Sequence, residues 1–104
     1  PIDEEWTKLT DYLGGKENAG GKLKSTSMWI SPNTGATNTS GFSGLPGGNR
    51  DGYFYILGGL GYWWSSSEYN SVEAWVRLLN CLGGEVTRYP TSKHNGLSVR
   101  CLKD

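Results

Sequence analysis

Five times in this chain two glycines stand side by side, at 14–15, 20–21, 47–48, 58–59 and 83–84. After residue 41 the stretches between them are short runs rich in aromatic and β-branched side chains. Glycine opens backbone conformations closed to other residues and weakens any helix that holds it. A chain punctuated this often is neither a helix bundle nor a coiled coil, and it reads as short elements joined by turns. Its 104 residues make one compact domain. Domains of this size bury only about 60–65% of their unfolded surface, so the large aromatic residues supply much of the core.

The clearest helical signal lies in residues 1–14. Trp6, Leu9 and Leu13 fall on one stripe at spacings of three and four, with Ile2 and Tyr12 at its border. Asp3 is placed to cap this helix, Glu4 and Glu5 suit its positive end, and Gly14-Gly15 supplies a left-handed stop, which predicts a helix of about ten residues. A second short helix is predicted over 18–25, where Leu23 between Lys22 and Lys24 leaves a narrow apolar face. Residues 31–41 hold Ala36 as their one apolar side chain and are a loop by composition.

Beyond that loop, strands are predicted at 42–45, 53–57, 62–66, 74–80, 85–89 and 97–102, joined by glycine pairs and by 90–96. Helices early and antiparallel strands late make the chain α+β. Ten Lys plus Arg balance ten Asp plus Glu, which removes the bulk attraction that nucleic acid or an anionic membrane surface would need. No apolar run approaches the roughly 18 residues of a membrane span, so direct membrane insertion is not expected. Cys81 and Cys101 stand twenty positions apart with no Cys-x-x-Cys or His-rich companion, a pattern unlike structural zinc; a bridge, two free thiols and a bridge to another partner all fit.

Several blocks together resemble the Fibrobacter succinogenes major paralogous domain: Glu5-Trp6, Leu13-Gly14-Gly15, Ala19-Gly-Gly-Lys-Leu-Lys24, Gly41-Phe-Ser-Gly-Leu-Pro-Gly-Gly48, Gly61-Tyr-Trp-Trp-Ser-Ser66 and Ser98-Val-Arg-Cys101. They run in family order across nearly the whole chain. The resemblance implies a C-type lectin-like α+β fold, with short N-terminal helices followed by a twisted antiparallel sheet with long loops. It also implies an extracellular or cell-surface setting, lipoprotein-anchored or on a phage particle. Such domains begin upstream with a strand bearing a Cys-Pro motif, so the resemblance implies that residues 1–104 lack a first strand and a cysteine able to pair with Cys101.

Alternation in 74–81 puts Trp75, Arg77, Leu79 and Cys81 on one face and Ala74, Val76, Leu78 and Asn80 on the other. Both faces carry apolar residues, so the strand is either buried on both sides or presents Val76 and Leu78 outward. Some members of the wider C-type lectin-like group are targets of diversity-generating retroelements, which rewrite asparagine codons, and residues 76–94 are similar to such a stretch. Val76, Leu78, Leu82, Gly83, Gly84, Thr87, Tyr89, Pro90, Thr91, Ser92 and His94 can all arise from an asparagine codon changed at its first two bases; Glu85 and Lys93 cannot. The expected ligand surface is therefore Val76, Leu78, Leu82, Glu85, Thr87, Tyr89, Pro90, Thr91, Ser92 and His94. In it Tyr89 is the anchor, Val76, Leu78 and Leu82 form an apolar rim, and Thr87, Thr91, Ser92 and His94 are the adaptable part. The expected partner is a protein or glycan on another cell or particle. A structural spacer in a bacterial surface lipoprotein and a fixed, calcium-independent glycan binder are the alternatives.

Other chemistries find little support. The Glu-Pro-Asn and Trp-Asn-Asp triplets of calcium-dependent sugar binding are missing, Asn49 and Asp51 around a turn at Arg50 offer too few carboxylates, and no metal or other cofactor is expected. His94 is the one histidine and lies in a polar loop, and the close cysteine pair of the formylglycine-generating enzymes, which share a related fold, is missing, so no catalytic residue is assigned. Of Trp63 and Trp64, at least one belongs to the core. Arg77 and Arg100 are expected to pair with Glu68, Glu73 or Glu85, and Lys16, Lys22 and Lys24 to form a solvated face.

Overall fold

A computed structural model describes residues 1–51, 53–55 and 57–103. It is α+β, with α1 (Asp3–Tyr12), α2 (Ala19–Leu23), β1 (Asn49–Asp51), β2 (Tyr53–Tyr55), β3 (Leu60–Glu68), β4 (Glu73–Asn80) and β5 (Thr87–Ser92). Strands β3, β4 and β5 form an antiparallel sheet in that order, and β1 pairs with β2 as a separate antiparallel ribbon. Asn49, Arg50 and Asp51 thus lie on a strand and not on the expected turn.

The stripe on α1 packs as predicted, with Trp6 and Leu13 buried and Leu9 partly so. Its ends are built differently. Ile2, not Asp3, occupies the cap position, and the Glu5 carboxylate accepts the Ile2 N–H at 2.9 Å. Asp3 is one residue inside the helix, and its carboxylate is committed to two arginines. At the other end Gly14 and Gly15 adopt φ of +105° and +91°, and the Gly15 N–H returns to the Thr10 carbonyl at 3.0 Å, closing the helix as the sequence implied.

α2 is shorter than the predicted 18–25 because Lys24 leaves it in extended conformation, at φ −72° and ψ 141°, and its glycines serve packing. A Cβ on Gly20 would lie 2.2 Å from the Glu85 carbonyl oxygen, and one on Gly21 would lie 2.0 Å from that of Gly35. The helix therefore presses bare backbone against the β4–β5 turn and the 31–41 loop. Lys24 corrects the expectation of a solvated basic face. It is fully buried, and its Nζ donates to the carbonyls of Thr34 at 2.8 Å, Asn80 at 2.8 Å and Gly83 at 3.0 Å, stapling those same segments together.

Two predicted strands are absent as strands. Ser43 at φ +57° breaks extension of 42–45, leaving one bridge from Gly44 to Lys24. In 97–102, Ser98 alone bridges β3, giving its N–H to Tyr62 and taking that of Trp64, before Arg100 turns away to stack on Phe42 at 4.0 Å. The predicted 85–89 strand starts later, at Thr87, because the Val86 N–H bonds to the Lys16 carbonyl and its side chain enters the core. Part of the predicted 53–57 run, residue 56, lies outside the described residues.

Pro90 sits inside β5 without cost to the sheet. Tyr62 and Trp64 use their outward backbone groups for Ser98, so β3 joins β4 through odd-numbered residues and β4 joins β5 through Thr87, Tyr89 and Thr91. The ring nitrogen of Pro90 then faces the free edge, where a missing donor discourages pairing with another strand. The serine run of β3 makes a bulge, since the register passes from Trp64 opposite Val76 to Glu68 opposite Ala74. That bulge receives the start of the chain: the Ser66 N–H donates to the Pro1 carbonyl at 2.8 Å and the Asp3 N–H to Ser67 Oγ at 2.8 Å.

The main core is aromatic. Phe42 meets Trp6 and Trp63 edge to face at 5.9 and 5.7 Å, with Leu23, Trp29, Leu79, Cys81 and Val86 around them. Trp63 is the core tryptophan of its pair and Trp64 is half-buried. Cys81 is buried while Cys101 is exposed, and both are free, so no bridge joins them.

Candidate recognition surface

The three-stranded sheet has two unlike faces. The face toward α1 carries Trp63, Leu79 and Arg77, and Arg77 is 3% exposed. Its guanidinium donates to the Asp3 carboxylate at 2.7 Å, to the Asp3 carbonyl at 3.1 Å and to Thr7 Oγ1 at 3.0 Å. Arg88 takes the other side of the same carboxylate at 2.7 Å and stacks on Trp75 at 3.5 Å. Arg77 thus pairs with Asp3, and Arg100 stacks on Phe42, in place of the glutamates expected for them; Glu68 pairs with Lys93. Both arginines hold the Asp3 carboxyl below its usual value, Arg88 most strongly, against the opposing effect of burial.

The second face carries Tyr62 and Trp64 from β3, Ala74, Val76 and Leu78 from β4, and Thr87, Tyr89 and Thr91 from β5. Strands lie about 4.8 Å apart, so Tyr62 and Tyr89 stand on opposite sides of β4. Their rings nevertheless meet edge to face at 6.4 Å and arch over that strand. Burial, and after it the Tyr62 hydroxyl, push the Tyr89 phenol above its ordinary range, so it stays protonated at any physiological pH. Val76, with Trp64 opposite on one side and Tyr89 on the other, is 0% exposed. It is a core residue, which corrects its assignment to an outward apolar rim. Alternation placed it on the right face, but the aromatic residues flanking it close that face over.

One end of this face is covered. Residues 93–98 leave β5 and reach the outer edge of β3, and on the way Asn95 Nδ2 donates to Thr91 Oγ1 at 3.0 Å while Lys93 lines a hollow with Trp64 and Ala74. The other end keeps Tyr62, Leu78 and Tyr89 half-buried and Thr87 exposed.

The ten expected site residues therefore divide. Val76, Leu78, Thr87, Tyr89 and Thr91 share the second face, with Val76 sealed and Thr91 beneath the crossing segment. Pro90 and Ser92 alternate to the opposite face, away from that group. Leu82, 70% exposed, and Glu85, exposed, occupy the β4–β5 turn. His94, exposed, follows β5, so β5 separates it from that turn by about 17 Å of extended chain. One patch of three survives, Leu78, Thr87 and Tyr89, with Leu82 and Glu85 beyond its end. Sequence reasoning missed Tyr62 and Trp64 as members of this face. Their signal lay in the Tyr-Trp-Trp run itself, since a strand with Trp63 inward must turn both neighbours outward.

Among the described residues no group of three His, Cys, Asp or Glu side chains could hold a metal ion, and no helix is long and apolar enough to cross a membrane.

A small α+β domain, with an aromatic core, two short helices and a three-stranded antiparallel sheet presenting one partly open face, is the class that this geometry defines. The chain belongs to the Fibrobacter succinogenes major domain family, whose model matches residues 1–103. No curated protein and no solved structure matches it.

Proposed function

We propose that this is a non-enzymatic recognition domain of C-type lectin-like architecture, displayed outside the cell or on a particle surface, whose ligand contacts the open end of the second sheet face. The observation that carries the reading is the tyrosine arch: Tyr62 and Tyr89, half-buried and packed edge to face at 6.4 Å, flank Leu78 and exposed Thr87 on a rigid sheet. Tyrosine is enriched in binding hot spots, because its rigid ring buries a large area at little entropic cost, and Leu78 and Thr87 adjoin the two rings. Exposed Leu82 and Glu85 extend the contact along the adjoining turn.

In its diversified form, the reading holds that retroelement-directed codon changes vary Leu78, Leu82, Thr87 and Tyr89 while Val76, Trp63 and Arg77 stay constant, because each of these three is under 5% exposed. Sequencing the codons for residues 60–104 across the source population tests this. First- and second-base variation at 78, 82, 87 and 89, with 63, 76 and 77 constant, is the expected result. A uniform sequence, or variation as frequent at 63 and 76 as at 87 and 89, overturns the diversified reading.

A further inference from the structure

On the opposite side of the sheet from the tyrosine arch, a cavity of about 340 Å³ opens between the second half of α1 and the β4–β5 turn, lined by Thr7, Thr10, Asp11, Lys16, Arg77, Val86 and Arg88. Charged side chains form its base. One carboxylate, Asp3, serves two guanidiniums, Arg77 and Arg88, and Glu4 acts on Arg88 from further off. Arg77 is buried and paired with Asp3, whereas the Arg88 side chain is 45% exposed and open to a ligand in the cavity.

The unused hydrogen-bonding capacity specifies what fits. Arg88 spends Nε and Nη2 on Asp3, and its Nη1 donates to nothing among the described residues. The Lys16 ammonium likewise has no side-chain partner among them, although its backbone is fixed by the Val86 N–H at 2.6 Å. Thr7 Oγ1 accepts from Arg77 at 3.0 Å and keeps its proton to donate. Those three donors suit a carboxylate. Two acceptors stand beside them: Thr10 Oγ1, whose proton goes to the Trp6 carbonyl at 2.8 Å, and the Asp11 carboxylate on the rim. Asp11 repels a densely charged anion and favours a monoanion that also carries hydroxyl groups. Buried Val86 offers an apolar wall for a ring's C–H face. The volume lies at the small end of ligand cavities, roughly 300–1,000 Å³.

We propose that this cavity binds a hexuronate residue of an acidic glycan, with the carboxylate held by Arg88, Lys16 and Thr7 and the ring hydroxyls donating to Asp11 and Thr10. The site is separate from the tyrosine arch and does not depend on it.

Amide chemical-shift titrations of the intact chain with free glucuronate, glucose, acetate and a short poly-glutamate peptide test it. Glucuronate is expected to saturate in the millimolar range and to move the amides of Thr7, Lys16, Val86 and Arg88, with acetate and glucose at least about tenfold weaker. Lys16 is exposed, and Lys16→Ala is expected to keep the folded spectrum while weakening glucuronate by about tenfold. No saturation by about 50 mM overturns the proposal. So does acetate binding as well as glucuronate, which marks a simple anion site, or the peptide binding more tightly, which marks an acidic-protein site. Unchanged affinity in Lys16→Ala, or shifts that instead track Tyr62 and Tyr89, also overturns it.

Discussion

Replacing Lys24 with methionine puts the interior of this fold to a quantitative test. Methionine keeps most of the aliphatic volume and removes three donors at once, from the carbonyls of Thr34, Asn80 and Gly83. A hydrogen bond from a charged donor contributes about 1.5–3 kcal/mol, so the gross loss is about 5 kcal/mol or more. Against it stands the cost of burying an ammonium. Burial pushes the Lys24 pKa below the ordinary 10.5, against the opposing pull of Cys81 and Glu85. Removing that cost leaves a net destabilisation of about 3 kcal/mol. Domains of this size have total stabilities of about 5–15 kcal/mol and urea slopes of about 1–1.5 kcal/mol per molar, so the unfolding midpoint should fall by about 2 M. Tryptophan fluorescence reports the transition, since Trp29 lies 5.5 Å from the ammonium. Amide exchange should show protection lost first in 31–41 and 80–84, the segments that the staple joins. A variant within about 0.5 kcal/mol of the parent would refute the reasoning, because the three carbonyls would then have found water at no cost.

Asp3→Asn leaves Arg77 buried without a counter-charge and should cost about 3 kcal/mol at neutral pH. The Asp3 carboxyl sits below its usual 3.8 in the folded chain, so its stabilisation is complete above 3.8 and is lost as pH falls through the depressed folded value. Urea midpoints measured from neutral pH down to about pH 2 should therefore show an acid limb in the parent that is reduced in the variant. Gly21→Ala forces a Cβ to within 2.0 Å of the Gly35 oxygen and should cost about 2 kcal/mol or more, whereas Gly84→Ala, with nothing within 4 Å, should stay within about 1 kcal/mol; equal thermal shifts for the two would count against the backbone packing described.

What could be read from the sequence was what depends on near neighbours. The α1 stripe and its glycine stop are local, and the structure follows them to within two residues. Strands β3 and β4 were legible because each contains a compact run of aromatic and aliphatic residues between turn signals. The failures have a common cause, a partner far along the chain. Lys24 reads as solvent-exposed beside Lys22, and only the arrival of Asn80 and Gly83 makes its burial tolerable. Asp3 reads as a helix cap until Arg77 and Arg88 claim it. Gly20-Gly21 reads as a weak spot in a helix, although the pair marks where backbone meets backbone. The 97–102 run has strand composition, but a single residue of it finds an open edge on β3.

The same distinction decides which positions on the second face can serve recognition. Val76 and Leu78 stand two residues apart on one strand and one face, so no periodicity separates them. They differ in their cross-strand neighbours: Trp64 and Tyr89 flank the first, Tyr62 and Thr87 the second. A large ring on each side closes over a valine, while a threonine on one side leaves a leucine half-open. Under the proposed reading, substitution at Thr87 alters the contact directly and also resets how much of Leu78 a partner can reach. Tyr62 belongs to the framework strand and would stay constant, so every variant would present its ligand with the same tyrosine edge. Affinity would then depend on how residues 78, 87 and 89 pack around that fixed ring, more than on any of them alone.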